Sequence, residues 1–512
     1  MKSMNDATSD IKPQAPQALL DEFAEILAFV QTAYQEGGTA HGVEIGLWTR
    51  ILELGGHVYG AWLGLFGDGD AGDRIVLDDG RAVRRLNALH RRDIQNVFGL
   101  FQLNRAVYGT REGQRIEAVP LDKRLQLPQG KNSYLLQDWD QGLAVEMPYD
   151  TVSVALARIL GFTQSVHTLE RNQREMATAV EDFWKDRATP PADKEGDLLV
   201  CTADGKGVPM RGGAKAPKGV EPPSTGGMRP GTKKMALVGA AYTVDPFMRT
   251  PEEVLDALFQ ESPARESPPL RPRPCFKSVR AALQRDDRDT SEPQVRTIFG
   301  WLAEQVTQRN PDGKKAVILL MDGQDSLWRA GWVYLHEGLA DVTEILDLLH
   351  ALGYLWDAAH LFHPKGSDAA RAFVKTQARR ILHGEIAAVI HSLGWLGTHH
   401  KLKGKHLESL EGIRGYFHNN VHRMAYDVYL EHGFPIASGV IEGACRCVVK
   451  DRMERSGMRW VMPGARAMLD MRCVHLSDLW EEFTAFRIQR ESQRLYPGSA
   501  ANDSNFSQPL AA

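Results

Sequence analysis

Residues 317–323 read VILLMDG, an unbroken apolar run that ends in an aspartate and a glycine. Such a run favours a β-strand that is covered on both faces, as in a parallel sheet, and the Asp322-Gly323 pair favours a turn at its end. Residues 198–205 read LLVCTADG and repeat this form, with Asp204 after the apolar run. The sequence therefore predicts two buried strands that each carry an aspartate at the carboxyl end.

A third carboxylate lies on a predicted helix. Residues 435–446 read PIASGVIEGACR, in which Ser438 is a candidate N-cap and Glu442 falls in the first or second helical turn. Arg446 and Lys450 follow at spacings that place them on the same helical face. The pattern predicts a glutamate that is presented by a helix beside the two strand-end aspartates.

Two aspartates and a glutamate on separate rigid elements suit a site for two hard cations. Mg²⁺ and Mn²⁺ prefer carboxylate oxygens, and two such ions about 3.5–4 Å apart stabilise the attacking and leaving oxygens of an in-line phosphoryl displacement. Asp204, Asp322 and Glu442 are thus candidate catalytic residues and ligands of two Mg²⁺ or Mn²⁺ ions. Each residue alone also has an ordinary explanation, because Asp-Gly is common in turns and helical glutamates are usually solvated.

The motifs around these acids are similar to those of one known family. They are TADGKGVPMR at 202–211, MDGQDSLW at 321–328, YFHNN at 416–420, GFPIASGVIEGACR at 433–446, KDRM at 450–453 and SGMRW at 456–460. In these motifs the chain resembles bacterial insertion-sequence transposases of the DDE type, specifically the ISKra group. The resemblance implies that Asp204, Asp322 and Glu442 form a DDE triad on an RNase H-like fold.

The predicted element order fits this fold. Strands are predicted at 198–203, 207–211, 234–244, 316–321 and 342–347, with helices at 292–309 and 326–336. The order strand, strand, strand, helix, strand, helix, strand is that of an RNase H-like domain, in which both aspartates can lie on adjacent central strands. The predicted fold class is an α/β catalytic core of RNase H-like fold with a mixed sheet, a helical insertion and a mainly helical N-terminal DNA-binding region.

Six segments are predicted along the 512 residues. They are a helical N-terminal region (1–80), a DNA-binding region with a β-hairpin at 93–108 and a helix-turn-helix-like pair (81–190), the first part of the core (191–350), a helical insertion (351–434), the second part of the core with the Glu442 helix (435–475), and a C-terminal helix with a disordered tail from about residue 490 (476–512). The helix predicted at 45–66 is apolar on more than one face, which makes it the best candidate interface.

Candidate DNA-binding residues come from three features. A helix at 149–160, a turn at Gly161 and a second helix capped by Ser165 have the form of a helix-turn-helix, although any antiparallel helix pair shares it. Its candidate base contacts are Gln164, His167, Arg171 and Gln173. Basic residues also cluster at 206–234 and 446–472, which favours contact with phosphates, although solvated charge runs are common.

The sequence DLLH at 347–350 looks like the Asp-x-x-His element of related transposases, although His350 is also explained as a satisfied histidine at a helix start. The complete set of predicted DNA-binding residues is Arg171, Lys206, Arg211, His350, Asn419, Asn420, Arg446, Lys450 and Arg452.

Composition limits the class of protein. The apolar content of 43% supports ordinary buried cores, and the five cysteines lack the paired spacing of a disulfide framework or a zinc ribbon. No run of about 18 apolar residues and no signal-peptide pattern occurs, so we expect a cytoplasmic, nucleoid-associated protein without a membrane partner. The net charge of −4 is not that of a uniformly basic DNA-binding protein, so DNA contact depends on local basic clusters.

These inferences predict a transposase that cuts double-stranded DNA at the element ends and joins it to target DNA. The resemblance further implies a homodimer or a higher oligomer on DNA. Two alternatives remain at the level of sequence. One is a non-catalytic DNA-binding protein derived from a transposase, and the other is an RNase H-like nuclease that does not transfer strands.

Overall fold

The computed structural model describes residues 16–211, 233–261, 270–284, 293–337 and 341–497, and in these ranges the side chains of Glu442 and Ser456 are not described. Residues 1–15 of the predicted N-terminal region and the last residues of the predicted disordered tail lie outside the described residues, as does the basic run within 212–232. The described chain forms two compact units, the first from residues 16–179 and 480–497 and the second from residues 180–479.

The first unit begins with two long helices and a region of short strands. They are α1 (Pro16–Gln35), α2 (Ala40–Gly64), β1 (Arg74–Val76), β2 (Ala82–Arg85), β3 (His90–Asn96), β4 (Gly99–Arg105) and β5 (Tyr108–Gly109). Strands β3 and β4 pair antiparallel, which confirms the hairpin predicted at 93–108. Strands β1, β2 and β5 form a small antiparallel sheet that the sequence reasoning missed.

Four helices follow in the first unit: α3 (Pro120–Leu125), α4 (Tyr134–Ala144), α5 (Tyr149–Leu160) and α6 (Val166–Ala177). Helices α5 and α6 are the predicted pair. Gly161 ends α5 with a φ of 79°, a left-handed conformation that glycine adopts readily. The Ser165 hydroxyl caps α6 by accepting a hydrogen bond from the Thr168 backbone N–H at 3.1 Å. His167 and Arg171 are exposed, but Gln164 and Gln173 are buried, so these two are not available to contact bases.

The second unit is built on a five-stranded mixed sheet of β6 (Leu198–Pro209), β7 (Lys233–Val244), β8 (Cys275–Leu283), β9 (Ala316–Met321) and β10 (Val342–Leu346). The spatial order is β10, β9, β6, β7, β8. Strands β10, β9 and β6 are parallel neighbours, whereas β7 pairs antiparallel with both β6 and β8. The two aspartate-bearing strands β6 and β9 are therefore adjacent at the centre of the sheet, as predicted.

Strand β6 differs from its prediction, which had two strands separated by a turn at Asp204-Gly205. It is one continuous strand of 12 residues, because β7 pairs with it along its whole length and satisfies its backbone groups beyond Ala203. Strand β8 was not predicted. It lies at the edge of the sheet and carries Lys277 and Arg280, so its apolar signal is weak.

Helices surround this sheet and fill the predicted insertion. They are α7 (Val180–Asp186), α8 (Pro251–Leu258), α9 (Pro293–Arg309), α10 (Asp325–Gly331), α11 (Leu348–Phe362), α12 (Asp368–Leu382), α13 (Ile386–His399), α14 (Lys405–Asn420), α15 (Tyr426–Glu431), α16 (Gly439–Cys445), α17 (Asp451–Met453) and α18 (Met462–Leu476). Short 3₁₀ helices span Ala192–Lys194, Val421–Arg423 and Arg455–Gly457, and π-helical turns span Trp332–His336 and Arg446–Lys450. The segment 351–434 is thus helical, as predicted.

The last helix, α19 (Trp480–Leu495), belongs to the first unit. Trp480 donates from its indole N–H to Asp138 at 2.7 Å, and the Tyr496 hydroxyl donates to the Leu127 carbonyl at 2.7 Å. The predicted start of disorder at about residue 490 is wrong, because these contacts hold the helix and the residues just after it.

All five cysteines are free thiols. Within the described ranges, no helix has both the length and the apolar content needed to cross a membrane.

A buried ion pair joins the amino ends of the central strands β6 and β9. Arg309, the last residue of α9, donates from Nε to Glu195 at 2.6 Å, and Lys315 Nζ lies 3.2 Å from the other Glu195 oxygen. The side chains of Arg309 and Glu195 are each 1% exposed. Glu195 lies just before β6 and Lys315 just before β9, so this cluster fixes the start of both strands.

We expect Glu195→Ala to lower the free energy of unfolding of the second unit by about 3–5 kcal/mol, because it leaves a buried guanidinium without its counter-charge. Urea unfolding followed by tryptophan fluorescence measures this. Glu304→Ala on the exposed face of α9 is the control and should change stability little. Equal stability of the two variants would contradict the structural role of the pair.

Candidate active site

The pairing register brings Asp204 and Asp322 opposite each other. Strands β6 and β9 run parallel, and the last residue pair between them is Cys201 with Leu319. Asp204 and Asp322 each lie three residues after that pair, so the same register continued places one across from the other. Here β6 has left β9 but remains paired with β7, and the Asp204 charge acts on Asp322. This point is the carboxyl end of the parallel part of the sheet, where open α/β sheets bind ligands.

A third aspartate extends this row. Leu346 of β10 pairs with Met321 of β9, and Asp347 and Asp322 are the next residues on the two strands. The Asp347 backbone N–H donates to the Met321 carbonyl at 2.8 Å. Asp204, Asp322 and Asp347 thus form a row across three neighbouring strands, with Asp322 in the middle.

The electrostatic environment of Asp322 disfavours its ionised form. Burial raises the pKa of Asp322 above its ordinary value, and the neighbouring Asp204 and Asp347 carboxylates raise it further. A hydrogen bond from the Gln324 backbone N–H at 3.1 Å and the nearby His350 act in the opposite direction but do not outweigh these effects. A cation at this place would relieve the repulsion that the ionised Asp322 experiences.

Asp347 has a structural role. One oxygen accepts hydrogen bonds from the backbone N–H groups of Leu349 at 2.6 Å and His350 at 3.2 Å, which caps α11. The other accepts from the Ser438 backbone N–H at 2.6 Å and from the Ser438 hydroxyl. Burial acts to raise the pKa of Asp347, but hydrogen bonds from His350 and Ser438 outweigh it and leave the pKa lowered. Asp347 is therefore ionised, and both of its carboxylate oxygens accept hydrogen bonds.

This carboxylate joins the start of α11 to the segment that leads into α16, the helix of Glu442. A backbone hydrogen bond from Leu348 to Ile436 at 2.9 Å adds a second link. Ser438 lies directly before α16 as predicted, but its hydroxyl donates to Asp347. Sequence reasoning assigned no role to Asp347 itself. The signal available was an aspartate directly before a helix, but its partner 91 residues later could not be read from the sequence.

Helix α16 packs against β6 at Asp204. The Cys445 thiol lies 3.7 Å from the Asp204 backbone carbonyl, and Cys445 is buried. Burial raises the pKa of Cys445, and the Asp204 charge raises it further, so the thiol stays protonated and serves as a packing group. Glu442 precedes Cys445 by three residues and lies on the same side of the helix. The side chain of Glu442 lies outside the described part of the structure.

Gly323, the residue after Asp322, is required by close packing. A Cβ atom at Gly323 would lie 2.1 Å from ring carbon Cε2 of Tyr416 on α14. Tyr416 is itself stacked on Tyr354, with ring centroids 3.8 Å apart. Among the described residues the buried Tyr416 hydroxyl has no hydrogen-bond partner. The glycine predicted as a turn residue is thus also the point where the helical insertion touches the Asp322 loop.

The structure places several predicted DNA-binding residues on accessible surface of the second unit. Lys206 lies two residues after Asp204 on β6 and therefore on the same face of the sheet. His350 is 40% exposed and its Nδ1 atom lies 3.9 Å from Asp347. The remaining exposed candidates in this unit are Arg211, Asn419, Arg446 and Lys450. Arg171 is exposed on α6 of the first unit.

Two predicted DNA contacts are contradicted by burial. Arg452 is fully buried, with its guanidinium 5.3 Å from the centre of the Trp460 ring. Arg452 follows Lys450 by two residues, about 200° around a helix, so it faces the interior while Arg446 and Lys450 face outward. Asn420 is also buried, and its amide donates to the Tyr416 carbonyl at 2.9 Å. Neither side chain is accessible to a DNA phosphate.

The donor chemistry of the acidic row fits a hard cation. Asp204 and Asp322 offer carboxylate oxygens from two rigid strands, and Mg²⁺ and Mn²⁺ prefer such ligands. Among the side chains that the structure describes, no group of three or more His, Cys, Asp or Glu residues is placed to hold a metal ion. Glu442 is not among those side chains.

Comparisons with known proteins give a distant similarity to a solved structure. No protein-family model matches the chain, and no curated protein matches it. Among solved structures, the chain is similar to the Drosophila P element transposase in its strand transfer complex, with 12% sequence identity and a TM-score of 0.25. The match covers 74% of this chain and 89% of that chain.

We expect Gly323→Ala to destabilise the second unit by about 1–3 kcal/mol, because the added methyl group overlaps the Tyr416 ring. Thermal unfolding of four chains measures the coupling: wild type, Gly323→Ala, Tyr416→Leu and the double variant. The alanine should cost much less when Tyr416 is leucine. Gly412→Ala on α14 is the control, since its added methyl group meets no atom within 4 Å. An equal cost of Gly323→Ala in both backgrounds would show that the clash is not its cause.

Proposed function

We propose that this chain is a DDE-type transposase with an RNase H-like core, which cleaves DNA at the ends of an insertion sequence and transfers the freed strands. The observation that supports the proposal is that Asp204 and Asp322 lie just beyond the carboxyl end of the parallel pairing between β6 and β9, with the helix of Glu442 packed on β6. The order along the chain is β6, β7, α8, β8, α9, β9, α10 and β10. Apart from helix α8 between the second and third strands, this is the order expected of an RNase H-like domain, and it supports the same assignment.

The proposed metal ligands are Asp204, Asp322 and Glu442. Two bound Mg²⁺ or Mn²⁺ ions would act as Lewis acids on the attacking and leaving oxygens of a phosphodiester. The raised pKa of Asp322 supports this role. A carboxyl group between two other carboxylates is costly to ionise, and a bound cation would offset that cost. Asp347 is a positioning residue, since it fixes the segment from which the Glu442 helix begins.

The neighbouring cations suit a DNA backbone. Lys206 on the same face of β6, and Arg446 and Lys450 after the Glu442 helix, would bind phosphates beside the scissile bond. Arg211, His350 and Asn419 are further candidates, and Arg171 on α6 would contact DNA from the first unit.

Water is the proposed nucleophile at the element end, and the freed 3′-OH is the proposed nucleophile at target DNA. This function also implies association with the nucleoid.

A nuclease without strand transfer would use the same acids and remains the second candidate. A non-catalytic DNA-binding derivative needs none of them. The proximity of the Asp204 charge to Asp322 favours a catalytic protein over such a derivative, because it raises the cost of ionising Asp322 and is not needed for DNA binding.

We expect Asp322→Asn to abolish excision of a marker placed between the DNA segments that flank this gene, while DNA binding stays within about twofold of wild type. Asparagine keeps the acceptor for the Gln324 N–H but cannot hold the cations as a carboxylate does. Asp312→Asn is the matched control, since Asp312 is exposed and precedes β9 at its opposite end. Loss of both binding and excision in Asp322→Asn would contradict a purely catalytic role, and cleavage without insertion by wild type would favour the nuclease.

The same variant gives a second readout. Because the pKa of Asp322 is raised, its ionised form lowers the stability of the metal-free protein as pH rises above the ordinary range of an aspartate. Mg²⁺ should therefore raise the melting temperature of wild type more at pH 8 than at pH 5, where protons compete with the cation. Asp322→Asn should lose most of this Mg²⁺ effect. A Mg²⁺ effect that is unchanged in the variant would place the cation elsewhere.

We also propose that the chain forms a homodimer through α1 and α2. Ile45, Trp48 and Ile51 of α2 are each about half exposed, and Leu20, Phe23 and Leu27 of α1 are each 50% exposed or more. Exposed apolar surface of this kind marks contact with another protein. It supports the interface predicted from the apolar pattern at 45–66, and a transposase that pairs two element ends needs such an interface.

We expect Ile51→Glu to shift the chain from dimer to monomer, because it places a charge within the apolar surface. Sedimentation equilibrium at micromolar concentration measures the change. Glu44→Gln on the same helix is the control, since it alters a polar exposed position. A monomeric wild type, or an Ile51→Glu variant that remains dimeric, would contradict the proposed interface.

A further inference from the structure

The C-terminal helix α19 forms one wall of a basic cleft in the first unit. The cleft has a volume of about 690 Å³. Arg487, Arg490 and Arg494 line it from α19, and their spacing of three and four residues places them on one helical face. Arg171 of α6 and Lys131, which lies just before α4, line the opposite side. We call this feature the C-terminal cleft.

The charge of the C-terminal cleft is strongly unbalanced. Among the described lining residues, its five cationic side chains are accompanied by two carboxylates, those of Glu175 and Glu491. A third carboxylate, that of Asp93, lies 3.9 Å from Lys131. Glu491 accepts hydrogen bonds from the Gln129 backbone N–H at 2.9 Å and from Arg487 at 3.3 Å. Glu175 lies 3.7 Å from Arg171. Five positive charges against three negative charges leave an excess of two, and an anion that enters the cleft would be attracted by it.

Hydrogen bonds hold two of these cations, Arg487 and Arg494, in place. Arg487 is 5% exposed, donates to the Gln137 side chain and lies with its guanidinium 5.6 Å from the centre of the Tyr134 ring. Arg494 donates to the Gln129 side chain at 2.7 Å. The outer cations Lys131, Arg171, Arg490 and Arg494 are exposed. The cleft thus has a fixed base and an accessible rim, and a pre-formed site of this kind loses little entropy on binding.

The chemistry of the lining indicates which anion it takes. Guanidinium groups bind phosphate oxygens through paired N–H donors. None of the described residues that line the cleft is aromatic, so no side chain there is suited to stack on a nucleotide base. These features fit the sugar-phosphate backbone of a polynucleotide better than a free nucleotide. The presence of Arg171, which lies on the second helix of the helix-turn-helix-like pair, further favours duplex DNA.

We propose that the C-terminal cleft binds the phosphate backbone of double-stranded DNA without reading its sequence. The choice of DNA as the occupant rests on the proposed function. Helix α19 then contributes directly to DNA binding, and its return to the first unit places its arginines beside Arg171 on α6. The contacts hold the duplex by charge, while base recognition is left to other residues.

The double variant Arg490→Gln with Arg494→Gln tests this proposal. Fluorescence anisotropy with a labelled DNA duplex of arbitrary sequence gives the affinity between about 50 and 200 mM salt. We expect binding about tenfold or more weaker at the low-salt end. The slope of log affinity against log salt should become shallower by about 1.8, since each lost phosphate contact removes about 0.9.

The matched control is Arg111→Gln with Arg115→Gln, which removes two exposed cations of the same unit outside the cleft. An equal loss of affinity in this control would overturn the proposal, because it would reflect net charge alone. Wild-type affinity and slope in the cleft variant would overturn it as well. Circular dichroism melting of both double variants establishes that each is folded.

The failure of this proposal differs from the failure of the proposed function. A wild-type chain that binds duplex DNA through the cleft but neither excises nor cuts DNA would overturn the transposase and support the cleft. A wild-type chain that excises the marker, with a cleft variant that binds DNA normally, would overturn the cleft and support the transposase.

Discussion

Asp347 lies at the carboxyl end of β10, where its two oxygens accept hydrogen bonds from two segments far apart in the chain. One oxygen caps α11 and the other holds Ser438, the residue directly before α16. The helical insertion from α11 to α15 lies between these two points in sequence. Because the carboxylate is buried and fully hydrogen-bonded, it fixes the return of the chain to the sheet after that long excursion. The position of the Glu442 helix beside Asp204 depends on this link.

The stabilising and the unfavourable charges of the central sheet lie at opposite ends of β6 and β9. At the amino ends of β6 and β9, Glu195 is matched by Arg309 and Lys315 in a buried cluster that balances its own charge. At the carboxyl ends, Asp204 and Asp322 lie together and raise the cost of ionising Asp322. Unfavourable charge is therefore concentrated at one end of strands that are fixed at the other. Such local strain is typical of sites whose favourable state includes a ligand.

The sequence predicted most of the local structure around the site, because the relevant signals are local. A continuous apolar run predicted β9, and the glycine and serine between α5 and α6 predicted the bounds of the helix-turn-helix-like pair. The length of β6 and the edge strand β8 were missed. Both depend on pairing with β7, and neither has a clear pattern of its own. Burial of Arg452 was missed because the basic residues after Glu442 were taken together, although Arg452 lies two residues after Lys450 and so on the other side of the helix.

The sequence alone determined which acids are candidates, since strand-end aspartates and a helical glutamate can be recognised from neighbouring residues. Tertiary structure decided which of them meet. The parallel register places Asp204, Asp322 and Asp347 in one row, and hydrogen bonding then makes Asp347 structural while Asp322 stays electrostatically strained. The C-terminal cleft likewise requires α19 to pack against a segment more than 300 residues earlier in the chain. Register and long-range packing depend on the free energy of the whole fold, which no local pattern contains.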